Sequence, residues 1–258
     1  MIDLRVNRIA LSTLFMKEIR RFTKVWLQTV MSPLVTTSLY FLVFGVALGS
    51  RLTEVDGVRY IEYVVPGLMM LSMINAAFLN ASSSLFQSKI NGTHFDLLVA
   101  PIGAVELLTA YVGASILRSL LVGCLVWGVA IFFTGFRVAH PLWVLYFSVI
   151  VAGVFALVGL LAAIYSQKFD HLAILPNFIL TPLTFLGGVF YSVKMLPEPW
   201  ATISQLNPIF YTVNGLRYGL LGVTDVAVWP AALAIFALFA VLLALAAREL
   251  GASSRLRS

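Results

Sequence analysis

Residues 142–166 read LWVLYFSVIVAGVFALVGLLAAIYS, an apolar run without a single Asp, Glu, Lys or Arg. A helix needs about 20 such residues to cross the ~30 Å hydrocarbon core of a bilayer. Five more stretches of this kind lie around it, at 25–48, 64–86, 107–133, 172–191 and 226–247, and the one charge they contain is Arg118. Across 258 residues the chain is 60% hydrophobic and 11% charged, whereas soluble domains are about 25% charged. A soluble fold is therefore excluded. Backbone in lipid must satisfy its own hydrogen bonds, which leaves helical bundles or closed barrels. Barrel strands alternate over about 10 residues, and these runs are longer and continuous. The expected fold class is an all-α membrane protein of six spans forming a single domain, 1–258.

Charge sets the orientation. Lys and Arg collect on the cytoplasmic side of membrane proteins. Six spans put Arg5, Arg8, Lys17, Arg20, Arg21 and Lys24 on one side with Lys89, Lys168, Arg248, Arg255 and Arg257. The other side holds only Arg51, Arg59, Arg137, Lys194 and Arg217. Both termini are thus expected in the cytoplasm. The net charge of +6 reads as orientation and contact with membrane lipid, with no nucleic acid as partner.

Within segment 4–24, Leu4, Leu11, Phe15 and Phe22, followed by Trp26, recur at steps of four and seven, while Lys17, Arg20, Arg21 and Lys24 take another face. Such a segment predicts an amphipathic helix in the interface plane. It is not expected to be a signal peptide, because the apolar run after it exceeds an h-region of 7–15 residues. Segment 192–225 is semi-polar and broken by Pro197, Pro199, Pro208, Gly215, Gly219 and Gly222. It predicts short re-entrant or outer helices, with Tyr191, Trp200, Phe210, Tyr211 and Tyr218 at the interface or shaping an exit. Pro176 and Pro182 predict a bent fifth span ending near Gly187-Gly188.

Several chemistries are missing. None of the eleven acids lies deep in a span, which argues against proton- or sodium-coupled transport. No lysine follows a glycine, so there is no phosphate-binding loop. His94, His140 and His171 stand apart in loops, and the lone Cys124 is expected to be a small buried side chain, so no metal site is expected. Asn75, Asn80 and Ser83 share a face of the second span, and Asn177, Thr181 and Thr184 form a similar stripe in the fifth. Polar stripes in spans either line a path or hold helices together. Arg118 has the same two readings: contact with an anionic substrate group, or hydrogen bonds to Asn75, Asn80 or helix carbonyls.

Five motifs then occur in order. They are Lys17-Glu18-Ile19-Arg20-Arg21-Phe22, Pro66-Gly67-Leu68, Leu97-Leu98-Val99-Ala100-Pro101-Ile102, Leu186-Gly187-Gly188-Val189-Phe190-Tyr191, and Asn207-Pro208-Ile209-Phe210-Tyr211 with Gly215-Leu216-Arg217-Tyr218-Gly219. Together they resemble the permeases of ABC-2 type transporters, in particular bacterial half-size inner-membrane exporters of drugs or nodulation factors. The resemblance implies a homodimeric permease worked by two copies of a separate ABC ATPase, which binds the ATP and Mg; the chain itself holds no cofactor and is no enzyme. It also implies export of an amphipathic, lipid-like, drug-like or glycan substrate by alternating access. The ATPase would grip the cytoplasmic loop 87–106, through Lys89, Phe95, Asp96, Leu97 and Leu98, and the elbow through Lys17, Glu18 and Arg20. The competing expectations are a scaffold or receptor subunit, or a passive channel.

Overall fold

The structure, a computed structural model, describes residues 7–48, 54–92, 102–134 and 138–251. Six helical segments are long and apolar enough to cross a bilayer: Trp26–Phe44, Tyr60–Ile90, Ala104–Thr134, Pro141–Tyr165, Phe169–Leu186 and Val228–Gly251. Helix α1 (Arg8–Lys24) precedes them. The first span joins α2 (Trp26–Tyr40) to a π-helical stretch, Phe41–Leu48. Next come α3 (Tyr60–Ile90), α4 (Ala104–Thr134) and α5 (Pro141–Tyr165). The fifth span is composite: α6 (Phe169–Ile174), a π-helical stretch (Leu175–Leu180) and α7 (Thr181–Leu186). Two short helices follow, α8 (Trp200–Leu206) and α9 (Pro208–Leu221), and α10 (Val228–Gly251) closes the chain.

Burial ranks these helices. The most apolar window of α3 is 78% buried and that of α5 72%, against 17–28% for the other four spans. So α3 and α5 form the axis, and the rest present broad apolar faces outward, as lipid contact requires. Their contact is tight. A Cβ added at Gly159 of α5 would lie 2.5 Å from the Phe78 carbonyl oxygen of α3. Backbone cannot retreat as a flexible side chain can, so only glycine fits. We expect Gly159→Leu to separate the axial pair and destabilise the fold by at least the ~1–3 kcal/mol typical of overpacking, read as loss of the monodisperse peak in detergent. An unchanged melting profile would show that the two helices have room to part.

Local chemistry explains the breaks. Asn7 caps α1, its side chain accepting from the N–H groups of Ile9 and Ala10, and Arg21 and Lys24 lie in the last turn, where cations complement the helix dipole. In the fifth span Pro176 has no N–H to give, and Thr181 N–H reaches back to the Pro176 carbonyl five residues earlier; a π-turn is a known consequence of such an interruption. The interruption falls in the stretch where Pro176 and Pro182 predict a bend. The span stops at Gly187-Gly188, where Gly188 takes φ +77°, a conformation that a Cβ disfavours.

The connection between the first two spans contains a small hairpin, Glu54–Val55 paired with Val58–Arg59. Asp56 and Gly57 turn it with positive φ, as in a type I′ turn. Arg59 pairs with Glu62 and donates to the Thr134 carbonyl at the end of α4.

Segment 192–225 folds into the short helices α8 and α9. Asn207 caps α9 by accepting from Ile209 N–H, and Gly222 ends it in the left-handed region. Helix α9 runs antiparallel to α5: Gly219 lies against Trp143 and Val144, and Gly215 against the Phe147 ring. Most of its side chains are buried. At 14 residues it is about 21 Å long, too short to span.

Cys124 is exposed, not buried as expected. It sits on the outward side of α4, where little protein covers the helix. His140 is exposed, and its ring stacks on Tyr218 with centroids 4.6 Å apart.

Candidate functional site

Two polar centres lie inside the apolar bundle, one near each end. The first is built where α1 climbs beside α4. Asn7 N–H donates to Glu106 Oε1 at 2.9 Å, and the Phe15 ring lies against Gly113. The two helices therefore run alongside each other over α4's first half. Part of the apolar face expected to meet lipid is taken up by protein, for Phe22 is buried and Phe15 packs on Gly113.

This packing carries Glu18 inside, at 1% exposure. Its Oε2 accepts from Arg21 Nε at 3.1 Å and from Ser84 Oγ at 2.6 Å. Arg21 then donates to the Asn80 carbonyl and to Asn80 Oδ1, both at 2.9 Å, and to Ser83 Oγ at 3.3 Å. Asn80 Nδ2 donates to Ser115 Oγ at 2.9 Å. From α4, Arg118 Nη1 donates to Asn80 Oδ1 at 3.2 Å. One side-chain amide thus joins α1, α3 and α4 through two guanidiniums. An arginine at mid-membrane costs about 2.5–3.5 kcal/mol on insertion scales, so both turn inward toward partners.

A cleft of about 310 Å³ opens beside this network, lined by Gln28, Ser32, Thr36, Asn75, Arg118 and Thr181 among others. The structure thus brings Asn75, Arg118 and Thr181 onto one wall. A second cleft of about 420 Å³ adjoins it and includes Arg21, Ser83, Gln87 and Phe169. Asn80 is fully buried behind the wall. Thr184 is also buried, its hydroxyl donating to the Leu180 carbonyl. Asn177 is exposed on the bundle's outside.

The residues assigned above to ATPase coupling fall into three groups. Phe95, Asp96, Leu97 and Leu98 lie outside the described residues. Lys17 and Arg20 are exposed on α1. Glu18 and Lys89 are engaged within the chain: Lys89 Nζ donates to the carbonyls of Ala163, Ile164 and Ser166, at 3.1–3.4 Å. It caps the C-terminal turn of α5, a favourable place for a cation.

The second centre escaped sequence reasoning, which counted Arg217 among loop charges. Arg217 is 1% exposed. Its guanidinium lies 3.9 Å from the centroid of the Tyr63 ring, a cation–π contact. Nη2 donates to the Gly188 carbonyl at 2.6 Å, and Asn214 Oδ1 lies 3.5 Å from Nη1. Asp225 stands alongside, accepting from Ser192 Oγ and Val193 N–H and pairing with Lys194. Arg217 thereby ties α9 to α3 and to the end of the fifth span. No local pattern announces this, because α9 is too short and too mixed to declare its buried face.

Six helices able to cross a bilayer and a polar cleft among them fit a membrane permease. The chain belongs to the ABC-2 type transporter family, whose model matches residues 9–221. It is 43% identical over 218 residues to the inner membrane transport permease YadH of Escherichia coli (strain K12), covering 84% of this chain and 85% of that one. Nodulation protein J of Sinorhizobium fredii (strain NBRC 101917 / NGR234) is 25% identical over 204 residues, covering 78% of this chain and 77% of its own length.

Proposed function

We propose that the chain is the membrane subunit of a bacterial inner-membrane exporter, working as a homodimer with two copies of a separate ABC ATPase. Both termini face the cytoplasm. ATP and Mg are bound and consumed by the ATPase, and the permease supplies the path for an amphipathic, lipid-like, drug-like or glycan substrate.

One observation carries this reading beyond family membership. Gln28, Ser32 and Thr36 recur every four residues along α2 and are exposed, and Asn177 is exposed on the neighbouring span. The first three edge the 310 Å³ cleft. Polar groups facing hydrocarbon are costly unless paired or hydrated. A second copy, with a hydrated path between the two, relieves that cost.

The handle for the ATPase is loop 87–106, with Phe95, Asp96, Leu97 and Leu98, assisted by the exposed Lys17 and Arg20. Glu18 and Lys89 act on it indirectly, by holding α1 and the end of α3 in place. The test is reconstitution of the permease with its ATPase in proteoliposomes. Movement of an amphiphile that requires ATP supports the exporter. Movement without ATP points to a channel, and a stable complex with no movement points to a scaffold. Phe95→Ala and Asp96→Ala should leave the permease folded and lower substrate-stimulated ATP hydrolysis severalfold. Unchanged stimulation in both would remove the loop from the coupling path.

A further inference from the structure

Arg118 is the cation that the network leaves unbalanced. Glu18 is already committed: its Oε2 accepts from Arg21 and Ser84, and its Oε1 faces Lys17 at 3.9 Å. Arg118 forms no ion pair among the described residues, and there its guanidinium makes one hydrogen bond, to an Asn80 oxygen that also accepts from Arg21. Its Nε is buried without a partner. A guanidinium carries five N–H donors in a fork that matches two oxygens of a phosphate or carboxylate. Glu18 is the one carboxylate against Lys17, Arg21 and Arg118 among the described residues of this cluster, so it has room for one more anion.

Its surroundings say what form that anion takes. The two clefts meet at Gln28, Leu79 and Arg118, which line both. One continues past Ser32, Asn75 and Thr181. The other runs past Phe86, Ile90 and Phe169, and Leu79, Ile90 and Phe169 are exposed there. A charged pocket thus opens onto an apolar trough at the end of the bundle that carries α1. A free inorganic ion has no use for the trough, whereas an anionic headgroup with an acyl chain fills both.

We propose that Arg118, with Arg21 and Gln28 beside it, binds the phosphate of an anionic amphiphile whose chain lies along Leu79, Phe86 and Phe169. The amphiphile comes either from the bilayer or from the transported pool. The site goes beyond the exporter reading, and its test uses the permease alone, so failure here leaves ATPase coupling untouched.

The purified permease is incubated in mixed micelles with phosphatidylglycerol and phosphatidylethanolamine, and the lipids it retains are compared by native mass spectrometry. Wild type should retain the anionic lipid about tenfold over the zwitterionic one, a factor that corresponds to about 1.4 kcal/mol. Arg118→Gln should abolish that preference, and Arg118→Lys should keep part of it, because an ammonium supplies charge without the fork. Arg8→Gln, an exposed cation at the start of α1, should leave the lipid preference unchanged. Equal retention of both lipids by wild type overturns the proposal, even if Arg118→Gln fails to fold. So does an equal loss in Arg8→Gln, which would mark diffuse surface attraction. The source follows from ATP turnover of the reconstituted complex. Stimulation by phosphatidylglycerol that Arg118→Gln removes assigns a transported or activating amphiphile. Retention without stimulation assigns a resident bilayer lipid. Either result supports the site.

Discussion

Replacing Glu18 by Leu should unfold or disperse the protein in detergent more readily than removing any exposed charge of the same helix. The carboxylate is buried and pairs with Arg21, which shares Asn80 with a second guanidinium, that of Arg118. Removing one partner of a buried ion pair typically costs about 3–5 kcal/mol, because the other charge stays buried and uncompensated. Ser84 would lose its acceptor as well. The double variant Glu18→Leu/Arg21→Leu should recover much of the loss, since it removes the orphaned cation. That non-additivity is the expected signature of direct coupling. Thermal melts of the four proteins of this cycle, run side by side in one detergent, measure it. Additive losses, or a Glu18→Leu melt equal to wild type, would mean that the elbow is not held by this pair.

The second large effect is expected at the far end. Arg217→Leu takes the donor from the Gly188 carbonyl and the cation from above Tyr63. An orphaned buried carbonyl costs about 1–3 kcal/mol, and a desolvated cation–π contact contributes about 2 kcal/mol. Leucine also relieves the burial of a charge, which offsets part of this, so we expect a net loss of about 2 kcal/mol. Arg217→Lys tests the geometry separately from the charge. One ammonium cannot both sit over the ring and bond the carbonyl in the planar arrangement of the fork, so lysine should rescue only partly. Full rescue would reduce Arg217 to a point charge. Limited proteolysis should show the 192–225 segment loosening before the spans, because Arg217 is what anchors α9 to α3 and to the end of the fifth span.

The two centres differ in how far sequence reasoning reached them. Asn75, Arg118 and Thr181 were singled out as polar residues in apolar runs, and all three line one cleft. Position in a span was enough, because any polar group there needs a partner or water. Glu18 was assigned to the ATPase contact together with Lys17 and Arg20, because the Lys17–Phe22 segment resembles the family's elbow. Its burial follows from α1 lying against α4, a contact such as Asn7 with Glu106, 99 residues apart, that no local periodicity encodes. Arg217 was misplaced for a similar reason. The Asp56-Gly57 hairpin did carry a local signal, the dipeptide that favours a two-residue turn, and it went unused.

Taken alone, the amino-acid sequence determined that this protein is a six-span helical bundle, where its fifth span is interrupted, and that segment 192–225 stays short of a crossing. Those properties depend on length, apolarity and proline, each acting within a single segment against water or lipid. Only the tertiary structure decided which charges are shared and which are left over. Glu18 is consumed by Arg21, Lys89 by the end of α5, and Arg217 by Tyr63 and Gly188, while Arg118 keeps unused donors in a cleft. Electrostatic pairing in a medium of low dielectric depends on distances of a few ångströms between helices, and those distances are set by how the helices pack.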